Sequence, residues 1–264
     1  MSRDIDKIRK QWNEDSDTWY KRYRTEEKIQ RIIDEPESAF HKVTLSIIKE
    51  SFSELKGKRI LVPSSGDNHA VFAFCLMGAK VTSCDISERQ LENAAHIAKE
   101  KGWDIEFICD DTMSLYKIRS NEYDFVYTSN GVHVWINDLN SMYNNIHRVL
   151  KKNGVYIMYD IHPFTRPFEC YASSLIIKKP YDSTGPFGEI PNYHWRIQDL
   201  INAISQAGLS IKEIQEMYAE YGTYWFEESG ERESMTEDEL KDLYDWRKNP
   251  LAAIPQWISV KVIK

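Results

Sequence analysis

The sequence predicts an α/β fold on a mostly parallel sheet, and three observations predict it. Arg59-Ile-Leu-Val-Pro63, Ser64-Ser-Gly-Asp-Asn68, His69 to Gly78 and Ala79 to Asp85 read as a strand, a small-residue turn, an apolar helix closed by glycine and a second strand ending in an acid. Further apolar strand patterns follow at Ile105-Glu-Phe-Ile-Cys-Asp-Asp111, Tyr123 to Asn130 and Gly154 to Asp160, with acids at or near their ends. Gly78, Gly102, Gly154 and Gly208 each stand between a helical pattern and a strand, where a helix C-terminal cap belongs. Repeated helix–glycine–strand alternation calls for right-handed crossovers and parallel strands.

Each element has its own signal. In residues 1–54, Ile5, Ile8, Trp12 and Trp19 recur at helical spacing, and Ser38 to Phe52 gives a second helix with Phe40, Val43, Ile47 and Ile48 apolar. Residues 59–63, 81–85, 105–109, 124–128 and 155–160 are the expected parallel strands. Ser87-Glu-Arg-Gln90 reads as a capping box opening a helix from Glu88 to Lys101. Residues 162–195 are rich in Pro, Tyr and Phe without clear periodicity, so they read as an insertion. Ile197 to Ala207 is a helix, Ser210 to Met217 a sixth strand, and Trp257 to Lys264 fits the last strand. Residues 218–255 form a second insertion, acidic and aromatic. The expected organisation is one domain: a helical cap (1–54), a core (55–161), a lid-like insertion (162–195), and a C-terminal half of the core (196–264) carrying the second insertion.

Composition narrows the class. A hydrophobic content of 42% can fill a sizeable core. A net charge of −7, with Lys and Arg spread among the acids, speaks against a nucleic-acid binder. Cys75, Cys84, Cys109 and Cys170 show no C-x-x-C spacing and read as reduced residues in a cytoplasmic protein; no metal site is expected from them. No apolar run reaches transmembrane length, and the charged start Met1-Ser-Arg-Asp-Ile-Asp-Lys is unlike a signal peptide, so neither membrane nor export is expected.

The turn places backbone N–H groups at a helix N-terminus, where a ligand can approach. Asp85 follows Gly66 by about 20 residues, where an acid meets ribose hydroxyls in such units. This succession of units, with Tyr123-Asp-Phe-Val-Tyr-Thr-Ser-Asn-Gly-Val-His-Val-Trp-Ile136 and Ile146 to Pro163, resembles the class I S-adenosylmethionine-dependent methyltransferases, in particular their small-molecule branch. The resemblance covers roughly residues 55 to 215. It implies a Rossmann-like, seven-stranded sheet with an antiparallel last strand beside the sixth, S-adenosylmethionine as cofactor, and methyl transfer to a small molecule.

The resemblance also implies a site. Pro63, Ser64, Ser65 and Gly66 lie under the methionine end, with Asn68 closing the turn. Asp85 takes the ribose, with Ile86 beside it. Asp110 matches the acid that accepts from the adenine amino group, and Asp111 then offers its N–H to the ring, with Thr112 following; which of the two acids faces the base stays open, since neighbouring strand residues point oppositely. Ser129 and Asn130 border the methionine moiety, and Tyr20 of the cap meets it from above. The chain departs from the family pattern at Val62, where an acid is usual, and has Ser64 and Asn68 for flanking glycines; a serine suits the turn as long as its φ stays negative. Asp67 in the turn tells against a dinucleotide, whose pyrophosphate it would repel, and for a ligand carrying an ammonium and a sulfonium. Asp67 and Asn68 are equally candidates for a helix N-cap.

For the acceptor side, His133, His194 and His162, in that order, are candidate general bases near strand ends or lids; a lone histidine is as readily a hydrogen-bonded structural residue. His41, His69, His96 and His147 fall in predicted helices. Tyr171, Tyr181, Phe187, Tyr193 and Trp195, and Tyr218, Tyr221, Tyr224, Trp225 and Phe226, are candidate linings for an acceptor pocket that would suit an aromatic or cationic molecule, or are lid packing. Ser129-Asn-Gly-Val132 replaces the Asn/Asp-Pro-Pro-aromatic tetrapeptide of nucleobase amine methylation, which favours a small acceptor. The alternatives are a non-catalytic cofactor-binding protein and a nicotinamide oxidoreductase.

Overall fold

The structure, a computed structural model, describes residues 2–169, 174–218 and 235–264. Seven strands form one sheet: β1 (Arg59–Pro63), β2 (Lys80–Asp85), β3 (Ile105–Cys109), β4 (Tyr123–Ser129), β5 (Leu150–Ile161), β6 (Ser210–Met217) and β7 (Trp257–Ile263), in spatial order β3-β2-β1-β4-β5-β7-β6. The pairs among β1 to β5 are parallel, and β7 runs antiparallel between β5 and β6. The antiparallel β7 separates this sheet from the all-parallel 3-2-1-4-5-6 order of nicotinamide dinucleotide folds.

Eight helices are described: α1 (Ser2–Tyr23), α2 (Glu26–Asp34), α3 (Lys42–Ser51), α4 (His69–Leu76), α5 (Glu88–Lys101), α6 (Leu139–Val149), α7 (Ile197–Gln206) and α8 (Glu237–Asp242). Three expectations need correcting. The single helix expected over 38–52 is a 3-10 turn, Pro36–Ala39, followed by α3, because Phe40 is extended and the His41 ring caps α3 by accepting from Val43 N–H at 3.2 Å. Gly154 is no helix cap: α6 ends at Val149, β5 starts at once, and the positive φ falls on Asn153. The capping box at Ser87 is half realised, since Ser87 Oγ accepts from Gln90 N–H at 3.2 Å while the Gln90 side chain turns away to cover Gly66. Among the described residues no helix is long and apolar enough to cross a membrane.

The cap is part of the domain. Ile29, Ile32, Phe40, Ile47 and Ile48 are buried in one cluster with Phe72 and Phe74 of α4 and Phe125 and Tyr127 of β4. Thr44 Oγ1 meets Ser259 Oγ at 2.7 Å, both buried, which pins α3 to β7. Fully burying an aliphatic or aromatic side chain contributes about 1.5–3 kcal/mol, so the cap's share is on the order of the whole net stability of a domain. A chain starting at residue 55 is therefore expected to show no cooperative thermal transition by circular dichroism. A sharp transition close to that of the full chain would make the cap a dispensable appendage.

Candidate functional site

Strand order reverses between β1 and β4, which opens a crevice at their carboxyl ends, the usual ligand position in an open α/β sheet. The turn 64–68 and the end of β4 meet there: Asn68 Nδ2 donates to Ser129 Oγ at 2.8 Å. Asn68 also caps α4, its Oδ1 accepting from Ala70 N–H at 2.9 Å, so the cap of this helix is Asn68 and not Asp67. Pro63 is buried as the last residue of β1. Ser65 is turned inward, its Oγ 2.8 Å from Ser83 Oγ and donating to the Cys84 carbonyl at 3.2 Å, so only its backbone borders the crevice.

Ser64 has φ +49°, in the left-handed region, so the negative φ expected of it does not hold. The turn keeps a glycine-like backbone with a serine in it, at a cost of about 1–2 kcal/mol. Its Oγ lies 2.7 Å from Thr112 Oγ1, which ties the turn to the segment after β3. Gly66 (φ +52°) holds a backbone conformation that strains any side chain, and a Cβ there would displace the end of the Gln90 side chain, whose Oε1 would lie 2.1 Å away.

Asp85, at the end of β2, holds this arrangement. Its Oδ2 accepts from Gly66 N–H at 2.8 Å and its Oδ1 from Ser87 N–H at 2.8 Å. Burial pushes its pKa up to about 6, against the pull of those two amides, and the nearby Asp67 charge adds to the rise. A carboxylate has about four acceptor sites, and the Gly66, Ser87 and Ile86 amides leave capacity for a further donor. Ile86, next in the chain, is half-buried.

The two acids after β3 separate. Asp110 Oδ1 accepts from Asp111 N–H at 2.9 Å and Oδ2 from Lys117 N–H at 2.7 Å, so this carboxylate closes its own turn. The Asp111 amide expected to meet an adenine ring is already taken. Asp111 uses only Oδ1, on Met113 N–H at 2.9 Å, and burial raises its pKa, with the Asp110 charge adding to it.

The cap reaches the turn through a residue that sequence reasoning missed. Arg24, just past α1, donates through Nη2 to Asp67 Oδ1 at 2.9 Å and through Nε to the Asp67 carbonyl, with 14% and 9% of the two side chains exposed. Asp67 is thus a paired charge, and its expected repulsion of a pyrophosphate falls away. Tyr20 is half-buried and packs on the core cluster near Asp67, whose charge adds to the burial that raises the phenol pKa. Along α1, Asn13 Oδ1 accepts from Ser87 Oγ at 2.7 Å, Asp17 holds Arg89 through two hydrogen bonds, and the Trp12 ring lies 5.5 Å edge-on from Trp135. These contacts span from the start of α5 to the segment after β4.

Asn130 (φ +65°) is exposed at the end of β4, its N–H bound to the Tyr159 carbonyl. His133, ranked first as a base, has both ring nitrogens committed: Nδ1 is 2.5 Å from Asp160 Oδ2 and Nε2 is 2.8 Å from Tyr143 Oη, with all three groups buried. Burial would raise the Asp160 pKa, but the His133 contacts outweigh it and hold it low. His162 is buried too, its Nδ1 accepting from Phe164 N–H and its Nε2 2.8 Å from Glu216. Both imidazoles are thus fully engaged within the protein. His194 is different. Its Nδ1 is buried with no partner among the described residues, and burial, then the charges of Arg166, Lys179 and Lys178, lower its pKa to about 3. Trp195 Nε1 donates to the Ile136 carbonyl, and Tyr181 Oη accepts from Ile197 N–H, so the polar tip of each ring is anchored to the backbone. Tyr171, Tyr221, Tyr224, Trp225, Phe226 and Cys170 lie outside the described residues. No group of three or more metal-ligating side chains occurs among the described residues.

Comparison with known proteins agrees with this fold. The family model described as "Methyltransferase domain" matches residues 62–158. An uncharacterized methyltransferase, YbaJ, of Bacillus subtilis (strain 168) is 26% identical over 121 residues, which are 46% of this chain and 47% of that protein. The match thus spans about half the length of that curated relative. An S-adenosylmethionine-dependent methyltransferase from Mesorhizobium loti superposes with a TM-score of 0.62 at 17% identity, covering 83% of this chain and 97% of that one. Geranyl diphosphate C-methyltransferase from Streptomyces coelicolor A3(2) superposes with a TM-score of 0.57 at 12% identity, covering 83% of this chain and 77% of that one.

The buried acid gives a pH signature. An ordinary carboxyl titrates at 3.8 and folded Asp85 at about 6. Between those values the folded chain holds a proton that the unfolded chain has lost, so this group's contribution to stability falls as pH rises through the window and is level above it. Relative to Asp85→Asn, the wild type is expected to lose up to about 3 kcal/mol in urea-unfolding stability between pH ~4 and ~7. A pH-independent difference would show that Asp85 does not titrate there.

Proposed function

We propose that the chain, which resembles the class I S-adenosylmethionine-dependent methyltransferases, binds S-adenosylmethionine in the β1/β4 crevice and transfers a methyl group to an oxygen, nitrogen or sulfur nucleophile of a small molecule. The observation that carries this reading is the buried Asp85 carboxylate, fixed over Gly66 with acceptor capacity left, beside an Asp111 that uses one oxygen only.

The residues fit the cofactor. Asp85 accepts from the ribose hydroxyls while its amide bonds keep the carboxylate aimed. Asp111 rather than Asp110 accepts from the adenine amino group, because Asp110 already takes the Asp111 and Lys117 amides and the Ser114 hydroxyl, while Asp111 takes only the Met113 amide. Gly66 gives the backbone approach, with Ser64, Asn68, Ser129 and Asn130 around the methionine end and Tyr20 on the cap side.

The bound cofactor supplies a methyl on a sulfonium, a leaving group that needs no acid. The chain's work is then to hold the nucleophile in line and to exclude water, and positioning of this kind can supply much of a rate enhancement. The histidine geometry supports positioning over base catalysis. His133 and His162 have no free nitrogen, and His194, at a pKa of about 3, is a weak base. The same geometry is compatible with a second reading, a cofactor-binding protein without turnover. Formation of S-adenosylhomocysteine over a panel of small acceptors separates the two.

With an acceptor in hand, His194→Gln is expected to keep kcat within about 10-fold, below the ~10²–10⁴-fold of general-base loss. A larger fall in kcat at saturating acceptor would make His194 the base. Asp85→Ala is expected to weaken S-adenosylhomocysteine by about 1.5–3 kcal/mol in equilibrium dialysis, the size of charge-assisted hydrogen bonds. An unchanged affinity in a folded variant would remove Asp85 from the site.

A further inference from the structure

The insertion after β5 collects positive charge with little negative charge to meet it. A bridge between Phe168 and Ile177 folds this segment back on itself, and Lys178 N–H donates to the Pro167 carbonyl at 2.8 Å, which brings Lys178 and Lys179 alongside Arg166. The Lys179 ammonium donates to the Ser183 carbonyl at 2.7 Å and lies 5.3 Å from the centre of the Phe187 ring. That ring is 4.8 Å from His194, whose buried Nδ1 is unpartnered among the described residues. Arg166 is half-buried, and no hydrogen bond or ion pair engages its guanidinium among the described residues. The acids at hand are committed or turned out. Asp160, which feels Arg166, serves His133 and Ile161; Glu216 serves His162; Glu169, Asp182 and Glu189 are exposed.

The place matters as much as the charge. The segment leaves from the end of β5, and Tyr193 N–H donates to the Val134 carbonyl at 2.8 Å, so it is anchored beyond β4. The cluster therefore stands on the β4/β5 side of the crevice, across from Asp85 at the end of β2 and Asp111 in the turn after β3. Unpaired cations of low exposure repel a quaternary ammonium and attract an anion. A fork-shaped guanidinium beside an ammonium suits carboxylate or phosphate.

We propose that Arg166, Lys179 and His194 form an anion subsite that selects acceptors bearing a carboxylate or phosphate group. Arg166 and Lys179 hold the anion, and the His194 ring, packed on Phe187, backs the site. The aromatic rings nearby then pack against the body of the molecule, in place of the cation cage that their abundance suggests in the sequence. The role as acceptor subsite rests on the methyltransferase reading; the anion site itself does not.

The test titrates benzoate and phenyl phosphate, with benzamide and tetramethylammonium as neutral and cationic controls, into the full chain by calorimetry, with and without S-adenosylhomocysteine. The anions are expected to bind and the controls not. Arg166→Gln and Lys179→Gln, each checked for an unchanged melting temperature, are expected to weaken the anions at least about 10-fold. Anions that fail to bind up to ~10 mM, controls that bind as well, or variants with unaltered affinity would overturn the subsite. Failure of S-adenosylhomocysteine to bind the wild type would count against the methyltransferase reading instead, and the arm without it still decides the anion subsite.

Discussion

One buried carboxylate organises this site. Asp85 sits at the end of β2 and takes the Gly66 amide of the turn on one oxygen and the Ser87 amide of the α5 start on the other. Two loops that are distant in sequence are thereby fixed against a single group. The arrangement has a cost, since burial raises the acid's pKa to about 6 and the two amides compensate only in part. A fold with no use for the charge could place an apolar residue there. Retaining it leaves a preorganised acceptor at the mouth of the crevice, the kind of perturbed group that functional sites collect.

The rest of this side of the crevice is built outward from that point. Gln90 lies over Gly66, and a side chain at that position would have to displace it. Asn13 and Asp17 of α1 bind Ser87 and Arg89, so the cap rides on the same helix start that Asp85 holds. At its far end the cap closes on the turn through Arg24 and Asp67. Removing one member of such a largely buried pair costs about 3–5 kcal/mol, because the other charge is left without a partner. Cap, turn and α5 form one mechanical unit, so movement of α1 is coupled to the shape of the crevice.

Much of this was legible in the sequence, for physical reasons. Strands β1 to β6 follow from local apolar runs punctuated by glycine, and Asp85 from its fixed distance after the turn. The position of β7 came from family resemblance alone, since periodicity carries no strand order. What was illegible depends on contacts between distant residues. Arg24 lies 43 residues from Asp67, and no local pattern marks it. His133 looked like a base at a strand end until Asp160 and Tyr143 took both its nitrogens. Ser64 gave no sign of its positive φ, because serine is not the residue that such a conformation normally selects. Asp110 and Asp111 were indistinguishable as neighbours and became distinct once the turn used one of them up.

The measurement that bears most directly on the account is calorimetric titration of the full chain with S-adenosylmethionine and, separately, with NAD. The buried acid, the glycine turn and the antiparallel β7 predict one S-adenosylmethionine bound per chain and no heat from NAD. Binding of NAD without S-adenosylmethionine would contradict it, and would turn the Asp85 crevice into a dinucleotide site.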